Sequence, residues 1–367
     1  MVFARVSMTP LQRYQQDLLR PDFVADAAQK KAVEHLQRLH DELMASRKDN
    51  RVFSRLLRRH HKPCRGLYFW GGVGRGKTYL MDTFFESLPF EKKMRLHFHR
   101  FMRRVHQEIR SLKDQENPLE IVADRLAKEA RVLCFDEFFV SDIADAMILG
   151  SLMEKLFARG VSLVATSNIV PDRLYENGLQ RERFLPAIAV LQANVDVVNV
   201  DSGTDYRLRT LEQAELYHWP LDAAADEILT SSFAALTPMP ASDNVALDIE
   251  GRTITARKVA DGVAWFDFAA LCDGPRSQND YIELACEYHT VLLSNIPALH
   301  AGIDDQVRRF INLVDEFYDR QVKMIISAEK PLESLYSGGR LTFEFQRTQS
   351  RLLEMQSHEY LAREHRP

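Results

Sequence analysis

The run Gly66-Leu-Tyr-Phe-Trp-Gly-Gly-Val-Gly-Arg-Gly-Lys-Thr78 constrains this chain more than any other stretch. It contains Gly71-x4-Gly76-Lys77-Thr78, the full pattern of a phosphate-binding P-loop. The flanks fit as well. A short apolar run, Leu67 to Trp70, enters the glycines, and a helix-like stretch, Lys77 to Leu88, leaves them. Strand, loop and helix in that order are what phosphate binding needs. Glycines let the backbone turn tightly and aim its N–H groups inward, and the helix N-terminus adds partial positive charge. The pattern predicts that Gly71, Gly72, Val73, Gly74, Arg75, Gly76, Lys77, Thr78 and Tyr79 surround the phosphates. Lys77 would reach the β- and γ-phosphates of ATP, and Thr78 would hold Mg²⁺. At average residue frequencies the four fixed positions arise by accident in roughly one chain of this length in a hundred.

A P-loop binds nucleotide; hydrolysis needs acids. Arg131-Val-Leu-Cys-Phe-Asp136-Glu137 reads as a buried strand that delivers two of them to a sheet edge, a Walker B pattern. Asp136 would bind Mg²⁺ through water, and Glu137 would polarise the attacking water. The motif lies 59 residues after Lys77, which leaves room for one intervening βα unit. The next strand, Val161 to Thr166, ends in Ser167-Asn168. Asn168 is placed to contact the γ-phosphate, or serves only as a turn residue. Arg181 and Arg183 follow, where an arginine finger would be carried to a neighbouring subunit.

The 367 residues allow two domains, or one large domain with an appendage. Apolar content of 46% supports an ordinary packed core, and a net charge of −4 gives no general affinity for nucleic acid. The four cysteines form no CxxC pair, so a zinc site or disulfide framework is not expected and a reducing compartment is. No apolar run approaches the ~20 residues of a membrane span. Met1 to Gln16 lacks a signal-peptide core and reads as untargeted.

The expected fold is α/β: a P-loop NTPase (AAA+/ASCE-like) parallel sheet with flanking helices, a smaller mixed insertion or lid, and a C-terminal α/β segment. The boundaries follow as 1–50, an N-terminal helical segment; 51–202, the P-loop core; 203–285, the lid or insertion; and 286–367, the C-terminal segment packed on the core. Residues 10–48 read as helical. There Asp26 and Gln29 fit a capping box, or Gln29 faces a nucleotide base. His97 and His99 alternate on an expected strand, Arg95 to Phe98, which leaves metal ligation open beside a structural or nucleotide-sensing role. Basic stretches at 51–65 and 92–110 read as solvated faces or as a phosphate-facing patch.

The C-terminal part echoes the core. Residues 291–338 repeat the order strand, acidic helix start, helix, strand, proline, Leu-Tyr and glycine of residues 132–178. Ser294-Asn295-Ile296 stands where the first copy has Phe135-Asp136-Glu137, so this copy has no metal-binding acid. Leu313-Val-Asp315-Glu316 imitates a Walker B, but its apolar spacing is helical and its acids read as a solvated face. Arg308 and Arg309 are candidates for a nucleotide-sensing arginine.

Several stretches together resemble one family over about Tyr14 to Leu361. They are Tyr68 to Thr78, Arg95-Leu-His-Phe-His-Arg-Phe-Met102, Leu133-Cys-Phe-Asp-Glu-Phe138, Thr166-Ser-Asn168, Gly178 to Pro186, Asp280-Tyr281, Arg308-Arg-Phe310 and Phe343 to Arg351. The chain resembles the ZapE and AFG1-like family of AAA+-like P-loop ATPases. The resemblance implies ATP hydrolysis with Mg²⁺ at Lys77, Thr78, Asp136 and Glu137, with Arg181 at the arginine-finger position. It implies a cytoplasmic bacterial protein at the division ring, a nucleotide-dependent homo-oligomer that destabilises FtsZ polymers during constriction. Mitochondrial relatives are linked instead to turnover of respiratory-chain subunits. A nucleic-acid-stimulated motor or helicase loader, and a chaperone-like ATPase for membrane-protein turnover, are the alternative readings.

Overall fold

The computed structural model describes residues 8–20, 23, 26–53, 63–72, 76–201, 206–237, 241–260 and 262–366. They fall into two compact units, Met1–Thr204 and Asp205–Pro367.

The first unit opens on two helices where one helical region was expected, α1 (Pro10–Asp17) and α2 (Ala27–Phe53). Thr9 and Gln12 close a capping box on α1, and Pro10 at its first position fixes the start. The Asp26 carboxylate accepts from the backbone N–H of Ala28 (2.7 Å) and Gln29 (3.3 Å), which starts α2 afresh. The remaining elements are β1 (Gly66–Trp70), α3 (Lys77–Ser87), β2 (Lys93–His97), α4 (Phe98–Ser111), α5 (Pro118–Glu129), β3 (Val132–Asp136), α6 (Ile143–Ala158), β4 (Ser162–Ser167), α7 (Leu185–Asn194) and β5 (Val195–Asn199).

The five strands form one parallel sheet in the order β2-β3-β4-β1-β5. Helices on its faces cover both sides, which is why Leu67, Tyr68, Phe69 and Leu133 to Phe135 are all buried rather than alternating. β1 begins on glycine because a Cβ at Gly66 would lie 2.0 Å from the Leu163 carbonyl oxygen of β4. Behind the end of β3, Phe98 packs against Phe138 (4.4 Å between centroids) and Phe101 against Phe135 (4.6 Å), each pair tilted. Burial of these rings anchors the strand end from which the acids project.

The second unit contains α8 (Tyr206–Gln213), β6 (Tyr217–His218), α9 (Ala223–Leu236), β7 (Ser242–Ile249), β8 (Arg252–Ala260), β9 (Val263–Asp267), α10 (Phe268–Cys272), α11 (Gln278–Glu287), β10 (Thr290–Ile296), α12 (Asp304–Asp319), β11 (Lys323–Ala328), α13 (Thr342–Glu354) and α14 (His358–Leu361). Its mixed sheet runs β6-β11-β10-β9-β8-β7, so residues 205–285 and 286–367 contribute strands to one sheet. The strand–helix–strand unit expected within residues 291–338 is present, with β10 and β11 parallel neighbours. The likeness extends further than that. β9-β10-β11-β6 has the same order and direction as β2-β3-β4-β1, with the same crossovers between them. The β7–β8 hairpin is the addition.

Local detail repeats as well. Glu137, after β3, has φ 51°, and its N–H bonds the Thr166 hydroxyl of β4 at 3.3 Å. Asn295, near the end of β10, has φ 62°, and its N–H bonds the Ser327 hydroxyl of β11 at 3.2 Å, so Asn295 matches Glu137 and Ser294 matches Asp136, a correction by one residue to the alignment expected from the sequence. Register pairs His97 with Asp136 in the first sheet and Asp267 with Ser294 in the second.

Asp315 and Glu316 lie on helix α12, as their spacing indicates. The solvated face expected for them is corrected. Glu316 is buried and accepts from Gln278 and Arg320, while Asp315 is paired with Arg347 and Arg351 (2.7 Å). Packing of α11 and α13 beside α12 removes that face from water.

Candidate functional site

Gly71 leaves β1 at φ 157°, and a Cβ there would meet the Asp201 backbone nitrogen at 3.1 Å. Gly76 is the N-cap of α3 at φ 72°, a left-handed conformation that favours glycine. The N-cap is a glycine and has no side chain to cap α3, so its start is built from backbone N–H groups of the kind that cradle a phosphate. Val73, Gly74 and Arg75 lie outside the described residues. So do residues 54–62, which hold much of the first basic stretch.

Lys77 Nζ donates to Gly71 O (2.6 Å), Gly72 O (2.7 Å) and Asn168 Oδ1 (2.7 Å). An ammonium has three donors, and these are three acceptors. The P-loop lysine and the polar residue after β4 therefore share one locus. The strand ends are tied to it from below. Phe138 N–H donates to Thr166 O (2.7 Å), and the Ser167 hydroxyl to Phe138 O (2.7 Å). These bonds, with the Glu137–Thr166 bond, fix the turn carrying Glu137 against the strand carrying Asn168.

Asp136 faces a cation that sequence reasoning missed. Arg95 of β2 donates from Nε to Asp136 Oδ2 (2.7 Å) and from Nη2 to Oδ1 (3.3 Å). Its Nη1 bonds Asp82 of α3. Burial opposes the Arg95 charge, but Asp136 and Asp82 outweigh it and hold the guanidinium above its ordinary pKa. Burial raises Asp82, and Arg95 acts against that rise. Arg95 thus joins the phosphate helix to the metal-binding candidate. The register that places β2 beside β3 does this, and no local pattern announces it. Asp136, with the Thr78 hydroxyl in the first turn of α3, supplies oxygen donors of the kind Mg²⁺ takes.

Other expectations divide. His97 ends β2, but His99 opens helix α4, so the two do not alternate on one strand face. Their rings lie 5.9 Å apart, while His106 meets Asp145 at 2.6 Å. Burial pulls His97 below its ordinary pKa, with Asp136 acting the other way. Tyr79 turns its ring away from the loop, against Phe23 (5.2 Å), and donates to Asp17 (2.8 Å). Arg181 donates to Asp172 O (2.5 Å) on its own loop, and Arg183 is exposed beside it. Arg308 and Arg309 lie on α12 of the second unit, where Arg309 bonds Cys272 O (3.1 Å).

In the second unit the position of the P-loop is taken by Trp219-Pro220-Leu221-Asp222. Asp222 caps α9, accepting from Ala225 N–H at 3.0 Å. Asp226 in the first turn pairs with Arg257 at 3.0 Å. A helix start already neutralised by two carboxylates has no opening for a phosphate.

Much of the described basic residue content is committed within the chain. Arg65 bonds Asp196 (2.5 Å) and the carbonyls of Gln192, Ala193 and Val195. Lys93 bonds Phe85 O (2.6 Å) and Leu88 O (2.9 Å) at the end of α3, and Arg104 pairs with Glu108 and Glu129. Among the described residues no helix is long and apolar enough to cross a membrane.

Comparison with known proteins agrees with this arrangement. The family model described as AFG1-like ATPase matches residues 8–364. The chain is 51% identical to the cell division protein ZapE of Escherichia coli, over 98% of this chain and 99% of that protein. It is 37% identical to lactation elevated protein 1 homolog B of Danio rerio, over 81% of this chain and 68% of that one. Among solved structures, DnaI aligns at 18% identity and a TM-score of 0.35, covering 48% of this chain and 87% of that chain. AMPPCP-bound DnaA from Aquifex aeolicus aligns at 14% identity and a TM-score of 0.35, covering 54% and 56%. A P-loop strand order, a lysine locus at the end of β1 and a family match over nearly the whole length agree: the chain belongs to the AFG1-like ATPase family.

Proposed function

We propose that this chain hydrolyses ATP with Mg²⁺ and uses the cycle to remodel a protein partner in cell division, FtsZ polymers at the division ring. The observation that carries the reading is the bond from Lys77 Nζ to Asn168 Oδ1 at 2.7 Å, which unites the P-loop with the end of β4. Identity of 51% over nearly the full length of a cell division protein supports the choice of process.

Lys77 exchanges the Gly71 and Gly72 carbonyls for the β- and γ-phosphate oxygens. The N–H groups at the start of α3 and the glycine backbone cradle the same phosphates. Thr78 and Asp136 would hold Mg²⁺, which would supply neutralisation of charge on the phosphoryl oxygens. Glu137 orients the attacking water and takes its proton. Asn168, released from Lys77, contacts the γ-phosphate. Arg181 leaves Asp172 O to reach the site of a neighbouring subunit in a nucleotide-dependent homo-oligomer. Cytoplasmic placement with recruitment to the division site completes the reading.

The decisive measurement is ATPase rate per subunit against protein concentration, with and without FtsZ polymers and with and without DNA. A rate per subunit that climbs with concentration and responds to polymer supports a shared site and a protein partner. A flat rate that ignores the polymer undercuts remodelling. Steeply salt-dependent stimulation by DNA supports the motor reading instead, which the intrachain pairing of Arg65, Lys93, Arg95 and Arg104 disfavours. Nucleotide stoichiometry is expected to be one per chain, because α9 is capped by its own acids. Calorimetric titration to two sites would contradict that.

A further inference from the structure

We propose that Gln29 reads the base of the bound nucleotide and makes the site select adenine. The inference rests on the nucleotide reading above and deepens it.

Gln29 lies in the first turn of α2. Its backbone N–H is already satisfied by Asp26, and its side chain extends to the P-loop. Nε2 lies 2.7 Å from where a Cβ would stand on Gly76, the N-cap of the phosphate helix. Oε1 is buried and has no hydrogen-bond partner among the described residues. A buried amide oxygen without a donor is costly, and it persists where something else supplies the donor.

The segment that carries Gln29 is held in place. Phe23 packs on Tyr79 (5.2 Å) and on Tyr14 (5.8 Å), and the Tyr79 hydroxyl donates to Asp17 (2.8 Å). These contacts fix the start of α2 beside the start of α3. A nucleotide whose phosphates lie on α3 carries its base one ribose away, and the proposal puts that base against the spare acceptor of this amide, which lies beside the N-cap of the same helix.

A carboxamide offers one acceptor and one donor side by side. Adenine answers with the N6 amino donor and the N7 acceptor. Guanine and hypoxanthine present O6 and N7, both acceptors, and set an oxygen against Oε1. A residue that only buttressed Gly76 would change affinity for every diphosphate alike, so base preference separates the two roles.

The test is calorimetric titration of the full chain with ADP, GDP and IDP, for the wild type and Gln29→Ala. The wild type is expected to bind ADP roughly 5- to 150-fold more tightly than GDP or IDP. Gln29→Ala is expected to bind all three within a few-fold. A fourth arm needs no variant: 7-deaza-ADP lacks the N7 acceptor and should bind the wild type more weakly than ADP. Equal wild-type affinity for all diphosphates overturns the inference and leaves nucleotide binding intact. So does a wild-type ADP-to-GDP ratio retained in Gln29→Ala. A wild type that binds none of the diphosphates overturns the nucleotide reading and this inference with it.

Discussion

Lys77→Ala is expected to lower ATP turnover by roughly 10²–10³-fold or more, the loss seen when a preorganised charge donor is removed from a transition state. The reason lies in what the ammonium holds. One group ties Gly71 O, Gly72 O and Asn168 Oδ1 together at 2.6–2.7 Å, so the variant loses both the phosphate contact and the locus that gathers it. Lys77→Arg is no substitute, because a planar fork cannot point donors at three acceptors arranged around a compact charge. Glu137→Gln is the companion. It keeps the turn pinned to Thr166, since that bond comes from the backbone, and removes only the carboxylate. ATP binding should stay within a few-fold while turnover drops roughly 10²–10⁴-fold. Steady-state phosphate release and nucleotide titration on the same preparations separate binding from chemistry. Wild-type turnover in Lys77→Ala would refute the site.

Arg95→Met is expected to destabilise the first unit by about 1–3 kcal/mol, the cost of removing one partner from a partly buried, hydrogen-bonded ion pair. The side chains of Arg95, Asp82 and Asp136 are 22%, 27% and 14% exposed, so solvent screens this cluster far less than a surface pair. Without the guanidinium, two carboxylates face each other with no cation between them, and burial already raises Asp82. Adding Asp82→Asn removes one of the two charges and should restore part of the loss. Urea midpoints of the two singles and the double give the coupling directly. An Arg95→Met protein that unfolds with the wild type would show that the three groups are not energetically joined.

The sequence announces the parts of this site that are local in the chain. The P-loop, Asp136-Glu137 and Asn168 can be read because each sits at the end of a short apolar strand, and a strand end sets its own neighbours. Arg95 could not be read so. In the sequence it is one cation in a basic stretch, and only the β2–β3 pairing puts it on Asp136. Gln29 was legible as a choice between cap and base; the structure assigns the cap to Asp26 and leaves the amide facing Gly76. The histidine alternation misled because it looks like a strand face, whereas the strand stops at His97 and the chain turns helical within one residue.

The second unit was legible in pieces: Val245 to Ile249, Thr253 to Arg257 and Val263 to Phe268 read as strand-like and fall on β7, β8 and β9. Its 291–338 segment shows the strand–helix–strand rhythm because buried strands and an amphipathic helix must. β6 is too short to announce itself, with only two residues, and nothing glycine-rich follows it. The repeated strand order was hidden for that reason. The helical acids of α12 show the complementary error: composition suggested water, and tertiary packing by α11 and α13 closed it off.

That repeated connectivity gives the molecule an internal reference. Four strands of each sheet share order, crossover and even the left-handed residue that donates each hydroxyl contact, yet the helix after β1 starts on Gly76 while the helix after β6 is capped by Asp222. Any perturbation common to both, such as heat, salt or denaturant, acts on matched backbones at Glu137 and Asn295. A perturbation felt at Glu137 and not at Asn295 is specific to the first unit, and on the proposed function nucleotide binding is expected to produce one. A single chain therefore carries the sample and its blank, and amide exchange at those paired positions can be read as a ratio free of differences between preparations.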